Sequence, residues 1–347
     1  VRGEKKMQYF INDYSEGCHP KILEKLLESN EQKHLGYGDD AYSEAAKEKI
    51  RKACACPEAE VYFLVGGTQT NMTVINAILR TYQGVICVNS GHIAVHEAGA
   101  IEKGGHKVLA VDGENGKIAV KSLKNFMDAF DKDLNKEHTV FPGMVYVSQP
   151  TEYGTLYSKK ELEEIKEICI KYEMPLFVDG ARLGYALASP ANDVSLEDLA
   201  RLSDVFYIGG TKCGALFGEA VVLPKQNYIP HFKTIIKQNG ALLAKGRVLG
   251  IQFDTLFTDD LYKSICESAV RQALRIKDAL LSKSYELYVD SPTNQQFIII
   301  DNSKMEELSK KVAFGYMESY DDNRSVIRFC TSFATRDEDV EALIDLL

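Results

Sequence analysis

The chain predicts an α/β fold, with a mostly parallel central sheet in a large domain and a small C-terminal α+β domain behind it. Three observations carry this. Roughly the first 220 residues alternate short apolar runs with amphipathic helical stretches, the pattern of strands joined by helical crossovers. After Pro224 the alternation stops and helical periodicity dominates. Two late apolar runs, 296–300 and 326–329, then return as strands ahead of a last helix, 336–347. At 347 residues there is room for one large domain, placed at 16–245, and a smaller one at 246–347. Residues 1–15 are expected to pack near the smaller one.

The elements follow in order. FINDYS, 10–15, is an extended lead-in. Residues 21–29 form a helix with Ile22, Leu23, Leu26 and Leu27 on one face. In the loop HLGYGDDAY, Asp39, Asp40 and Tyr42 are candidates for a subunit or active-site loop, and Asp40 or Ser43 serves equally as N-cap of a helix at 43–55. Strand 61–65 runs through GGTQTN into an apolar helix reaching Leu79. Strands follow at 85–88, 107–111 and 144–147, with a helix at 120–130. Ser158 and Glu161 make a capping box for the helix 158–172. Strands 176–178 and 205–208 complete the first part, and helices at 230–238, 241–257 and 259–282 open the second.

Composition removes several function classes. The net charge is −9 and the Lys and Arg residues are scattered, so no nucleic-acid surface is expected. No apolar run approaches the ~20 residues of a membrane span. The eight Cys include no CxxC pair and no metal-ligand spacing, so no metal is expected. Cys54-Ala-Cys56 fits a helix end, and free thiols fit a reducing cytosol, so a cytoplasmic protein is expected. The residues ahead of Met7 lack an apolar signal core and fit a start-site remnant.

The chemistry centres on 175–218. PLFVDGARLG delivers Asp179 and Arg182 from the end of one buried strand, and DVFYIGGTKCG delivers Lys212 from the end of another. A carboxylate and an amine at neighbouring strand ends suit pyridoxal phosphate (PLP), whose ring nitrogen takes an acid and whose carbonyl takes a Lys. GGTQTN between a strand and a helix is either an anion site, with Thr68 as an added donor, or a plain turn. His92, just past another strand end, either stacks on a planar group or caps a helix.

GGTQTN, GHIAVHE, VDGARL and GGTKCG, in this order and spacing, resemble the low-specificity L-threonine aldolases. These are β-eliminating lyases with the aspartate-aminotransferase type of fold, the PLP-dependent transferase-like architecture. The resemblance runs from FINDYSEG to VIRFCTSF and implies retro-aldol cleavage of L-threonine or L-allo-threonine to glycine and acetaldehyde. Its alternative is another PLP lyase of this fold, working by β-elimination or on phenylserine- or hydroxyaspartate-type substrates. It implies that Lys212 attaches the cofactor, Asp179 pairs with the ring nitrogen, Arg182 sits near the phenolic oxygen and His92 stacks on the ring. Gly67, Thr68 and Gln69 would hold the phosphate, with Lys245 and Arg247 reaching it from a neighbouring subunit of a homodimer or homotetramer. Arg328, assisted by Asn12, would grip the carboxylate of the amino-acid substrate. Thr151 stands where many members carry a His near the substrate hydroxyl, so His96, Glu152 or a water is left for that role.

Overall fold

A computed structural model describes residues 7–347; the expected start-site remnant lies outside the described residues. The described residues build two large sheets and a two-stranded one, Gly113–Glu114 with Lys117–Ile118. The larger has seven strands, in the order Glu60–Leu64, Glu219–Leu223, Val205–Gly209, Leu176–Asp179, Phe141–Ser148, Gln83–Val88 and Val108–Val111. From Val205–Gly209 to Val108–Val111 the pairing is parallel, and Glu219–Leu223 pairs antiparallel with both its neighbours. The parallel strands therefore end together at one edge, where an α/β sheet places its ligands.

Burial on both faces explains the continuous apolar runs. In Val205–Gly209 every residue is buried. Phe206 and Ile208 enter one core with Leu162, Ile165 and Leu199 of the helices Lys159–Lys171 and Leu196–Leu202. Val205 and Tyr207 enter the other with Val74, Ile75, Phe232 and Ile236 of Gly67–Ile78 and Phe232–Gln238. Each large side chain buried here contributes roughly 1.5–3 kcal/mol.

The smaller sheet has five strands, ordered Gln8–Phe10, Val312–Ser319, Arg324–Cys330, Gln295–Asp301 and Glu286–Val289. Gln8–Phe10 joins it in parallel, and Phe10 is buried with Ile298, Ile327 and Phe329. The strand shares only Phe10 with the expected lead-in, 10–15, whose remaining residues form bends. The helix Leu261–Ser282 ties the two parts together: Leu261, Ile265 and Ala269 sit in the core of the large sheet, and Ile276 and Leu280 in the core of the small one.

Several local signals hold. Ser158 and Glu161 form the capping box of Lys159–Lys171. Asp40 is the N-cap of Ala41–Ala53, accepting from the Ser43 amide at 2.9 Å and hydroxyl at 2.8 Å, and Cys54 ends that helix. The expected helix 241–257 starts only at Arg247, because 241–246 turns against 36–39. A Cβ on Gly246 would lie 2.5 Å from the Gly38 amide nitrogen. All eight cysteines are free. No helix among the described residues is long and apolar enough to cross a membrane.

Candidate active site

At the strand edge, Ser148 lies in register with Asp179. Beyond them opens a small cleft lined by Gly67, Asn71, His92, Glu152, Asp179, Arg182, Tyr207 and Lys212, among others. The four residues expected to be catalytic therefore meet.

Asp179 is fixed on every side. Oδ1 accepts from the Tyr207 hydroxyl at 2.5 Å and the Ala181 amide at 2.9 Å. Oδ2 accepts from the Tyr146 hydroxyl at 2.5 Å and from Asn71 Nδ2 at 3.0 Å. Burial alone would raise its pKa, but His92 and the two tyrosines outweigh burial and hold it below the usual carboxylate range. Burial and the neighbouring carboxylate push Tyr146 and Tyr207 well up, so both remain donors.

Lys212 stands on the loop between Val205–Gly209 and Glu219–Leu223. The loop is closed by Gly210 and Thr211 amides donating to the Gly218 carbonyl at 2.9 and 3.1 Å. Gly218 has φ +119, a conformation L side chains rarely adopt. The Tyr185 hydroxyl donates to the Lys212 carbonyl at 2.5 Å. Burial, and then the Arg182 charge, lower the Lys212 pKa against the pull of Asp13, Asp179 and Glu219, which favours the neutral, nucleophilic amine. Under the loop, buried Glu219 accepts from the Thr211 hydroxyl at 2.8 Å and the Gly210 amide at 3.2 Å, and burial pushes its pKa up to about 8.

Arg182 forms a two-pronged pair with Asp13, Nε to Oδ2 at 2.7 Å and Nη2 to Oδ1 at 3.0 Å. Asn294 Nδ2 adds a third bond to Asp13 at 3.0 Å. One buried carboxylate thus joins the lead-in, the edge of the large sheet and the small sheet. Burial opposes ionisation of Asp13, but Arg182 and Lys212 prevail and lower its pKa. His92 Nδ1 donates to Glu97 Oε1 at 2.8 Å, and Asn71 Nδ2 donates to the same oxygen at 2.7 Å. The carboxylate fixes which imidazole nitrogen carries the proton and turns Nε2 outward.

The remaining expected residues lie around this centre. Gly67 and Thr68 begin the helix Gly67–Ile78, whose N-cap Gly66 offers no side-chain cap. Its first amides point out of the helix, an anion site by geometry. A Cβ on Gly67 would lie 3.3 Å from the Tyr207 hydroxyl, so glycine keeps this end open to the cleft. The Thr68 side chain is exposed, and the Gln69 side chain turns away, donating to the Asn239 carbonyl at 3.1 Å. His96 lies 5.6 Å from the His92 ring; burial, then His92 and Arg328, lower its pKa. Arg328 is steered by Gln295 Oε1 at 2.8 Å and the Ile11 carbonyl at 3.0 Å, and its Nε has no protein partner. Asn12 closes its own turn, accepting from the Tyr14 amide and Ser15 hydroxyl at 2.9 Å each. Lys245 is exposed beside the 36–39 loop, outside the lining of this chain's cleft, and Arg247 donates to the Ser29 carbonyl at 2.9 Å. The Thr151 hydroxyl is taken up by Thr155 at 2.7 Å.

Sequence reasoning missed Asp13, Asn71, Tyr146, Tyr207 and Glu219. A signal existed for the tyrosines, since a Tyr within a fully buried strand must find a partner for its hydroxyl.

The donor set fits PLP: a buried ionised acid for a protonated ring nitrogen, a buried amine with a lowered pKa, an open helix N-terminus for a phosphate and a planar His. Together with the sheet order, this defines a PLP-dependent enzyme of the aspartate-aminotransferase fold type. The beta-eliminating lyase model matches residues 16–296. A low-specificity L-threonine aldolase of Pseudomonas aeruginosa is 31% identical over 274 residues, 77% of this chain and 76% of the relative. The solved Leishmania major threonine aldolase superposes with TM-score 0.94 at 40% identity, covering 97% of this chain and 98% of the other. A Thermus thermophilus aspartate aminotransferase shares the fold, with TM-score 0.73 at 14% identity over 99% and 92% of the two chains. The chain belongs to the low-specificity L-threonine aldolase family of the beta-eliminating lyases.

Proposed function

We propose that this protein is a carbon–carbon lyase that cleaves β-hydroxy-α-amino acids, L-threonine or L-allo-threonine, to glycine and acetaldehyde. The observation that carries the reading is the meeting of buried Lys212 and buried Asp179 in one cleft, in a chain 40% identical to a threonine aldolase over nearly its whole length. Bound PLP supplies the electron sink for the pair released when Cα–Cβ breaks.

The chain's own residues do the rest. Lys212, its pKa lowered by burial, would hold the cofactor covalently through its amine. Asp179, kept ionised by its tyrosine donors, would pair with a protonated ring nitrogen. Arg182, braced by Asp13, would present a positive edge to the phenolic oxygen. Gly67, Thr68 and Gln69 would hold the phosphate by their amides, and His92, held by Glu97, would lie against the ring. Arg328 would take the substrate carboxylate and so orient the bonds at the substrate's Cα.

The same reading extends to the assembly. A homodimer or homotetramer would bring Lys245 of one protomer toward a neighbour's phosphate site, which its exposure permits. A large domain at 16–245, a smaller one at 246–347 and a cytoplasmic location, favoured by eight free thiols, belong to this proposal. The purified protein should show a visible absorption band from bound cofactor and release glycine from L-threonine. A colourless protein with no affinity for PLP refutes the reading.

A further inference from the structure

Retro-aldol cleavage needs a group to take the proton of the substrate β-hydroxyl, and the Thr151 hydroxyl is both too weak a base and already engaged. Glu152 lines the cleft with Lys212, Asp179 and His92. Its Oε1 accepts from the Ser148 hydroxyl at 2.7 Å and from the His92 amide at 3.0 Å, so the side chain is held from two elements. Its Oε2 is buried and has no partner. A carboxylate serving only as a brace for His92 would be complete with Oε1; the spare oxygen costs roughly 1–3 kcal/mol unless something binds it.

Resting on the aldolase reading, we propose that Glu152 is the catalytic base of this branch, its Oε2 accepting the β-hydroxyl proton of the bound amino acid. The proton moves to Glu152 Oε2, and the O–H pair becomes the second C–O bond of the aldehyde. The Cα–Cβ pair stays with Cα, which is reprotonated to give glycine, and Glu152 returns its proton to solvent. Burial raises the Glu152 pKa against the help of Ser148, with Asp179 raising it further and His92 lowering it, which strengthens the carboxylate as a base.

The test separates proton removal from everything else in the cleft. Glycine carries no hydroxyl, so exchange of its Cα hydrogen with D2O needs the cofactor, Lys212 and Arg328 but not a hydroxyl base. In Glu152→Gln, kcat for L-threonine is expected to fall at least about 100-fold, the lower end for a general base. KM, the visible cofactor spectrum and glycine exchange should stay within about 3-fold. Glu152→Asp, which keeps the charge at shorter reach, should recover about 10-fold over the Gln variant. Cleavage near the wild-type rate in Glu152→Gln overturns the proposal, and so does a parallel loss of glycine exchange, which marks a structural role. Retained cleavage in Glu152→Gln beside its loss in His96→Phe moves the base to His96 and equally overturns it. Should Glu152→Gln not fold, the Asp variant decides by the same readouts: a kcat loss with exchange intact supports Glu152, unchanged kcat refutes it. Wild-type protein that forms no glycine from any β-hydroxy amino acid refutes the aldolase reading itself, whatever Glu152 does.

Discussion

Replacing Asp13 by Asn should weaken the join between the lead-in, the large sheet and the small sheet. The carboxylate accepts three bonds, two from Arg182 and one from Asn294, with Asp13 fully buried and the Arg182 side chain 12% exposed. A carboxamide oxygen at the Oδ2 position keeps Arg182 Nε and Asn294 but turns an N–H toward Arg182 Nη2, so one charge-assisted bond is lost and the buried guanidinium loses its counter-charge. Leaving one partner of a buried pair uncompensated costs roughly 3–5 kcal/mol. With about 2.1 cal/mol/K of unfolding entropy per residue, a 347-residue chain loses roughly 4–7 °C in Tm. The assay is thermal unfolding of cofactor-free protein. Because Asp13 has a lowered folded pKa, its contribution is present above the unfolded value of about 3.9 and is lost only as pH falls through the folded value. The gap between wild type and variant should therefore stay constant from about pH 5 to 8 and close below about pH 4. Asp13→Leu combined with Arg182→Met should recover stability relative to Asp13→Leu alone. A Tm within about 1 °C of wild type for Asp13→Asn, or strict additivity in the double variant, refutes the coupling.

Other outcomes follow from the same geometry. Lys212→Ala should abolish covalent cofactor attachment, read by mass and visible absorption after borohydride reduction. Asp179→Asn gives Tyr146 and Tyr207 one acceptor oxygen in place of two, so one hydroxyl is stranded at a cost of about 1–3 kcal/mol in unfolding free energy, alongside a fall in kcat. Arg328→Ala should raise KM for the amino acid about 10- to 100-fold with the cofactor spectrum unchanged, the loss of a charge-assisted contact. Glu219, raised to about 8, holds a proton in the folded state that the unfolded chain has released, so its contribution to stability falls as pH rises from about 4 to 8. Glu219→Gln should flatten that part of the pH–stability curve.

What the sequence revealed depended on how far apart the cooperating residues stand. Strand 205–208 was legible because burial on both faces leaves a continuous apolar run. Asp179 and Lys212 were legible because each ends such a run. Glu219–Leu223 was not separated from the loop before it, since glycines and apolar residues run together from Gly209 to Leu223. Asp13 stayed hidden because Arg182 is 169 residues away and Asn294 is 281 away, and no local pattern marks such a pair. Asn12 drew attention by likeness, while its own turn takes up its oxygen. Lys245 carried no local sign of its surroundings: one protomer leaves it exposed beside the 36–39 loop.

The most direct test of the central claim is the product profile of the purified, PLP-loaded protein with L-threonine, L-allo-threonine, phenylserine and cysteine. The account predicts glycine and the matching aldehyde in equal amounts from the β-hydroxy amino acids, lost in Lys212→Ala. Pyruvate and ammonia from cysteine, with no glycine from any β-hydroxy amino acid, would contradict it.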